Sequence, residues 1–222
     1  MGLRQRALKL RMSPRGVGEA TDIVNKEMYD FVDKGGRHVV MRPENTAGVV
    51  RAMIQHKLLA TSDPRLLYYI GPQFRYERMQ AGRYRQFWQI GAESFGVATP
   101  ESEAESLVML FDFLNELGLR HLKLSINSVG TPESRPAFQA AFRAFFEARQ
   151  EAFCGDCHRR IAQNPLRVLD CKVPACKALV ENAPSISGSL CPGCDEHFAQ
   201  VREILDSAKL PYRLNDRLVR GL

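Results

Sequence analysis

Residues 65–77, RLLYYIGPQFRYE, and 85–96, RQFWQIGAESFG, are two aromatic and β-branched runs joined by a short basic loop around Gly82. Such composition favours strands, and a connection this short pairs them antiparallel, as a hairpin. Around the loop, residues 74–89 gather Arg75, Arg78, Arg83 and Arg85 with Glu77. Folding gives no reason for that crowding, because like charges repel and long side chains lose rotamer entropy when ordered. A polyanion offsets the cost. Guanidinium forks match phosphate oxygens two at a time, so the hairpin is expected to hold a phosphate-bearing ligand such as a triphosphate or an acyl phosphate. The plainer alternative is a solvated basic hairpin.

The rest of the chain supplies a frame for that hairpin. Residues 27–42 contain two short strand-like runs around Asp33, Lys34, Gly35 and Gly36, a second hairpin signal. From residue 44 to about 59 the pattern turns helical, with Val49, Met53 and Ile54 on one apolar face and Pro43 in the first turn. Residues 101–117 place Leu107, Leu110, Phe111, Leu114 and Leu117 on one stripe ended by Gly118, after which LKLSINSVG returns as a strand. The sheet is expected to be mainly antiparallel. After Gly130 a helical pattern and a cysteine-bearing segment follow, and the last residues are again strand-like. The expected division is a core over 1–130, an insertion over 131–211 and a return to the core over 212–222. With 222 residues, 45% of them hydrophobic, the chain can bury one core with a smaller appendage. The net charge of +6 suits a nucleotide or nucleic-acid partner. No apolar run reaches the length of about eighteen residues that a membrane span needs, and the basic start lacks a signal-peptide core. Arg6 stands where myristoylation wants Ser or Thr. A cytoplasmic location is expected.

Cys154 and Cys157 form one CxxC pair, Cys191 and Cys194 another, with Cys171 and Cys176 between them. Two such knuckles suggest structural zinc, with Cys154, Cys157, Cys191 and Cys194 as ligands, even though 33 residues separate the pairs. A metal clip would support a small insertion. Buried thiols acting as small apolar residues are the other option. His158 and His197 stand beside the knuckles as substitute ligands or as surface residues.

The segments RPENTAGVVRA at 42–52, residues 74–96, NPLRVLDCK at 164–172, APSI at 183–186 and the final LVRGL occur in an order that resembles histidyl-tRNA synthetase, a class II aminoacyl-tRNA synthetase. The resemblance runs from about residue 16 to Leu222. It implies an α+β fold, an antiparallel sheet flanked by helices with a small, mainly helical, cysteine-containing insertion. The implied reaction joins histidine to ATP, taken with Mg2+, giving histidyl-adenylate, and then transfers the acyl group to tRNA(His). By matching position, Arg75 bridges the histidine carboxylate and the α-phosphate, Glu77 meets the adenine amino edge, and Arg83 reaches the β- and γ-phosphates. Arg220 approaches the α-phosphate. Glu44, Thr46 and Gln89 match contacts to the amino acid, and Glu93 faces the imidazole. Arg78 and Arg85 are candidates for the tRNA backbone. The even interval between Gln89 and Glu93 independently puts both on one side of a strand. Family members form homodimers and are not membrane proteins.

Three motif positions depart from the family pattern: Asn45, Met79 and Trp88 replace the usual glycine, proline and histidine. Asn45 is expected to preserve a positive-φ backbone path, Met79 to loosen the loop entry, and Trp88 to point away from the Gln89 face. The family's later histidine-binding aspartate and tyrosines, its third motif and its anticodon-binding domain lie beyond the matched stretch, which alone is expected to be inactive or very poor. The competing expectations are a non-catalytic regulatory paralogue in histidine biosynthesis and a zinc-stabilised RNA-binding module.

Overall fold

The computed structural model describes residues 8–10, 27–58, 65–163, 165–169 and 171–218, and structural statements concern these residues. The chain divides after Val97 into two compact units, Met1–Val97 and Ala98–Leu222.

In the first unit, β2 (Asp30–Val32) and β3 (His38–Met41) pair antiparallel, and β1 (Leu8–Leu10) joins the other edge of β3. The turn between β2 and β3 is held by Asp33, whose Oδ1 accepts the N–H groups of Gly35 and Arg37, each at 2.9 Å. Gly36 supplies the positive φ of 75° that closes the turn. β4 (Arg65–Phe74) and β5 (Gln86–Phe95) form the long hairpin, paired antiparallel from Arg65 opposite Phe95 to Phe74 opposite Gln86. In its loop Gly82 takes φ 76° beside a bridge between Gln80 and Arg83.

Helix α1 (Thr46–Gln55) buries Gly48, Val49 and Met53. Val49 and Met53 pack on Leu67 and Tyr69 of β4, with Leu58 and Phe95 at the margin. Two expectations change here. Ile54 is 71% exposed, because the Val49 and Met53 pair, four apart, defines a narrow stripe that the next residue leaves by a third of a turn. Pro43 lies outside the helix, whose N-cap is Asn45.

The second unit opens with α2 (Pro100–Glu116). Thr99 caps it by accepting the Ser102 N–H at 3.4 Å, Pro100 fills the first turn, and Gly118 at φ 82° follows its end. Ala104, Leu107, Val108 and Phe111 face a core shared with Ile126, Val201, Leu205 and Leu210. Leu110 and Leu117 are half-exposed or more, against expectation: Leu110 falls outside the 104–108–111 row, and Leu117 caps the helix end. β6 (Leu124–Ile126) pairs with β7 (Tyr212–Leu214) in parallel. That departs from the otherwise antiparallel pairing because the connection is a long crossover carrying α3 (Arg135–Glu147), α4 (Gly155–Gln163), α5 (Pro174–Val180) and α6 (Pro192–Ser207).

Helix α3 sets Phe138, Phe142 and Phe146 four residues apart, and all three are buried in a separate core with Phe153, Ile161, Val168, Val180 and Ile186. Among the described residues no helix is long and apolar enough to cross a membrane.

Candidate functional site

Directly opposed residues of an antiparallel pair share a face, so the register of β4 and β5 sorts the hairpin into two sides. One side carries Leu67, Tyr69, Gly71 and Gln73, which are buried, opposite Glu93, Gly91, Gln89 and Phe87. The other side is open: Leu66, Tyr68, Ile70, Trp88 and Ile90 are each at least half exposed. Gln89 and Glu93 therefore do share a face, and Trp88 points away from it, as expected.

At the end covered by α1 the side chains are polar and acidic. Thr46 donates from Oγ1 to Glu93 Oε1 at 2.8 Å, joining the helix start to β5. Glu44, just before the helix, accepts the Ala47 N–H at 3.1 Å, which satisfies one of the helix's free donors and fixes the carboxylate at its positive end. Burial raises the Tyr69 phenol above its usual range, and the charges of Glu93 and Glu44 add to that rise, while a hydrogen bond with Thr46 opposes it. The Tyr69 ring covers Gly91 so closely that a Cβ there would overlap it. The Gln89 Oε1 and Asn45 Oδ1 atoms are buried acceptors with no hydrogen-bond partner among the described residues.

The segment before α1 is tied to the hairpin by a short ladder. The Phe74 N–H donates to the Arg42 carbonyl at 2.9 Å, Arg42 Nε to the Pro72 carbonyl at 2.7 Å, and Arg75 Nε to the Pro43 carbonyl at 2.8 Å. Arg42 is itself buried, and Gly71 makes room for its guanidinium, which would stand 3.3 Å from a Cβ at that position. These contacts set Glu44 and Thr46 relative to β5.

At the loop end the character is basic. Arg75 lies over the Phe87 ring, 5.1 Å from its centroid, and Arg85 over Tyr76 at 4.2 Å. Glu77 is shared: Arg75 Nη1 stands 3.9 Å from one carboxylate oxygen and Arg83 Nη1 3.5 Å from the other. Arg85 Nε also donates to the Glu77 carbonyl at 3.4 Å. Arg78 and Met79 are exposed on the loop. Arg220 lies outside the described residues.

The structure thus brings together Glu44, Thr46 and Glu93 at one end, and Arg75, Glu77, Arg83 and Arg85 at the other. Tyr69 and Arg42 were not singled out from sequence. Their signal was the pair of glycines inside aromatic strands, which mark close approach by another group: Tyr69 at Gly91 and Arg42 at Gly71. Asn45 needs no positive φ, contrary to expectation, since it sits at φ −112° as the N-cap.

The cysteines regroup. Cys154 and Cys157 come together with Cys171 and Cys176, their sulfurs all within 4.8 Å of one another. Cys191 and Cys194 are a separate couple 2.9 Å apart, with Thr131 and Ser134 beside Cys194. The expected set of two CxxC pairs is not the one assembled. His158 is exposed with its ring edge-on to Phe146, and His197 faces Glu103 at 3.3 Å.

The solved structure of apo histidyl-tRNA synthetase from S. aureus matches all of this chain and 50% of its own, with TM-score 0.75 and 37% identity. The fold is that of the class II aminoacyl-tRNA synthetases, α+β with a cysteine-containing helical insertion. A family model described as Histidyl-tRNA synthetase matches residues 15–134. The curated histidine–tRNA ligase of Geobacter metallireducens is 53% identical over 214 residues, covering 96% of this chain and 52% of that protein. This chain belongs to the histidyl-tRNA synthetase family. It spans about half the length of the curated relatives it matches. A Bacillus halodurans structure titled as an ATP phosphoribosyltransferase regulatory subunit/histidyl-tRNA synthetase shares the fold at TM-score 0.62 and 18% identity.

Proposed function

We propose that this chain forms the ATP- and histidine-binding part of a histidine–tRNA ligase. In the proposed reaction the histidine carboxylate attacks the α-phosphorus of ATP, supplied with Mg2+, and pyrophosphate leaves. The acyl group then passes to the terminal ribose of tRNA(His), in the cytoplasm and in a homodimeric enzyme. The catalytic core comprises residues 1–130 and 212–222, and residues 131–211 are the insertion.

One observation carries the proposal: a single hairpin face ends in acceptors on one side and guanidinium groups on the other. Arg75, the phosphate contact, stands across from Arg85, which is four residues from Gln89 along the second strand, about 13 Å at the usual rise of a strand. That separation suits a ligand with a cationic head and a phosphate tail. Glu44, Thr46 and the partnerless Gln89 Oε1 hold the α-ammonium, while Glu93, oriented by Thr46, accepts a hydrogen bond from the imidazole. A side chain with no N–H to offer the Glu93 carboxylate forgoes that hydrogen bond, so this end supplies the selection for histidine.

Arg75, held by the Pro43 carbonyl and by Phe87, meets the histidine carboxylate and the α-phosphate, where negative charge builds in the transition state. Arg83 moves from Glu77 to the β- and γ-phosphates, leaving Glu77 to meet the adenine amino edge. Arg220 adds charge at the α-phosphate, and Arg78 and Arg85 contact the tRNA backbone. Glu77 neutralises part of the arginine cluster, which lowers the cost of holding like charges together. A regulatory paralogue has no use for this arginine and glutamate set, and an RNA-binding module has none for the acceptor pocket.

The test is a pair of equilibrium titrations, with histidine and with ATP and Mg2+. Arg75→Ala weakens ATP binding at least about tenfold, whereas Glu93→Gln weakens histidine binding and leaves ATP binding in place. Unchanged affinities in both variants would contradict the assigned roles.

A further inference from the structure

We infer that Cys154, Cys157, Cys171 and Cys176 hold one structural zinc ion, which deepens the zinc expectation with a different ligand set. The inference rests on the cysteine geometry alone, so it stands or falls separately from the histidine and ATP assignments. A tetrahedral zinc with Zn–S bonds of about 2.3 Å sets its sulfurs about 3.8 Å apart. The Cys154 and Cys171 sulfurs are 3.9 Å apart, and all four lie within 4.8 Å of one another. All four are free thiols.

The backbone around them is arranged as a knuckle. Both the Cys157 and His158 N–H groups donate to the Cys154 carbonyl, at 2.9 and 3.2 Å, turning the chain into α4 so that the first two sulfurs face one point. Cys171 follows the short 3-10 turn Pro165–Val168, its N–H donating to the Val168 carbonyl at 3.0 Å, and Cys176 lies in the first turn of α5. The Cys154 N–H donates to the Cys176 sulfur at 3.2 Å, the kind of outer hydrogen bond that stabilises a metal-bound thiolate.

Burial strengthens the case. Cys157, Cys171 and Cys176 are enclosed by the Phe138, Phe142, Phe146 and Phe153 core, where a closed, all-sulfur, oxygen-free set selects zinc over harder cations. The elements that meet there are short: α4 has 9 residues and α5 has 7, too few to be stable helices alone. A metal that joins them stabilises the fold of this core directly. On binding, four Zn–S bonds form and four S–H protons pass to the buffer. Cys191 and Cys194 are left out of the set because they form a separate couple, with the hydroxyls of Thr131 and Ser134 beside Cys194.

The experiment is elemental analysis of the purified chain, followed by Co2+ substitution and its visible spectrum. The expected result is about one zinc per chain and, with Co2+, the intense bands of a tetrahedral tetrathiolate. Cys171→Ser and Cys176→Ser should each lower the zinc content severalfold, while the double variant Cys191→Ser, Cys194→Ser retains it. Because the parent chain's metal content and cobalt spectrum need no variant, a folding failure in a cysteine variant does not decide the outcome. A parent chain without zinc, iron in its place, or loss of zinc only in the Cys191 and Cys194 variant would overturn the inference.

Discussion

In the proposed site Glu93 serves both fold and ligand. Its bond to Thr46 joins α1 to β5 and at the same time aims one carboxylate oxygen. Replacing a carboxylate by an amide keeps an acceptor but removes its charge, a difference of about 1–1.5 kcal/mol, so Glu93→Gln should weaken histidine binding roughly 5- to 13-fold by calorimetry. Thr46→Val should weaken it too, through loss of aim rather than loss of charge. Gly91 makes the complementary prediction. Any side chain there must displace the Tyr69 ring, so Gly91→Ala should cost about 1–3 kcal/mol of stability, as other overpacked sites do. Chemical denaturation measures that directly, and an unchanged midpoint would mean that Tyr69 does not occupy the position described.

The elements were legible in the sequence wherever period and composition agreed. The 65–96 hairpin, the turn at Asp33 to Gly36, α1, α2 and the phenylalanine stripe of α3 each had a strong local signal. Their ends and exact faces were less so, because these depend on what packs against them: Ile54 and Leu110 are apolar yet lie off the stripe that a neighbour covers. Strand register was also beyond local pattern, and with it the meeting of Tyr69 with Gly91. The cysteines group differently from expectation for the same kind of reason. CxxC spacing announces itself, whereas Cys171 and Cys176 join the group only through tertiary packing. The two-sided hairpin gives a prediction of its own. Trp88, the chain's single tryptophan, is 70% exposed on the face away from Gln89, so acrylamide should quench its fluorescence readily and histidine should not protect it. In α3, Phe142 is wholly buried, and Phe142→Ala should cost about 3–5 kcal/mol.

At the scale of the molecule, the division after Val97 separates the proposed ligand face from the cysteine core, each built within its own unit. Removing zinc with a chelator should therefore lower hydrogen-exchange protection across residues 138–186 and leave the β4 and β5 amides as protected as before. Equal loss in both would show that the two cores do not fold as separate units. The central claim, that one hairpin face grips a cationic amino acid at one end and phosphate at the other, is tested most directly by a structure bound to a non-hydrolysable histidyl-adenylate analogue. The account predicts the imidazole within about 3 Å of Glu93 and the phosphate oxygens within the same distance of Arg75. Finding the analogue away from both residues, with Glu93 still bonded to Thr46 and Arg75 still held by Pro43, Phe87 and Glu77, would contradict it.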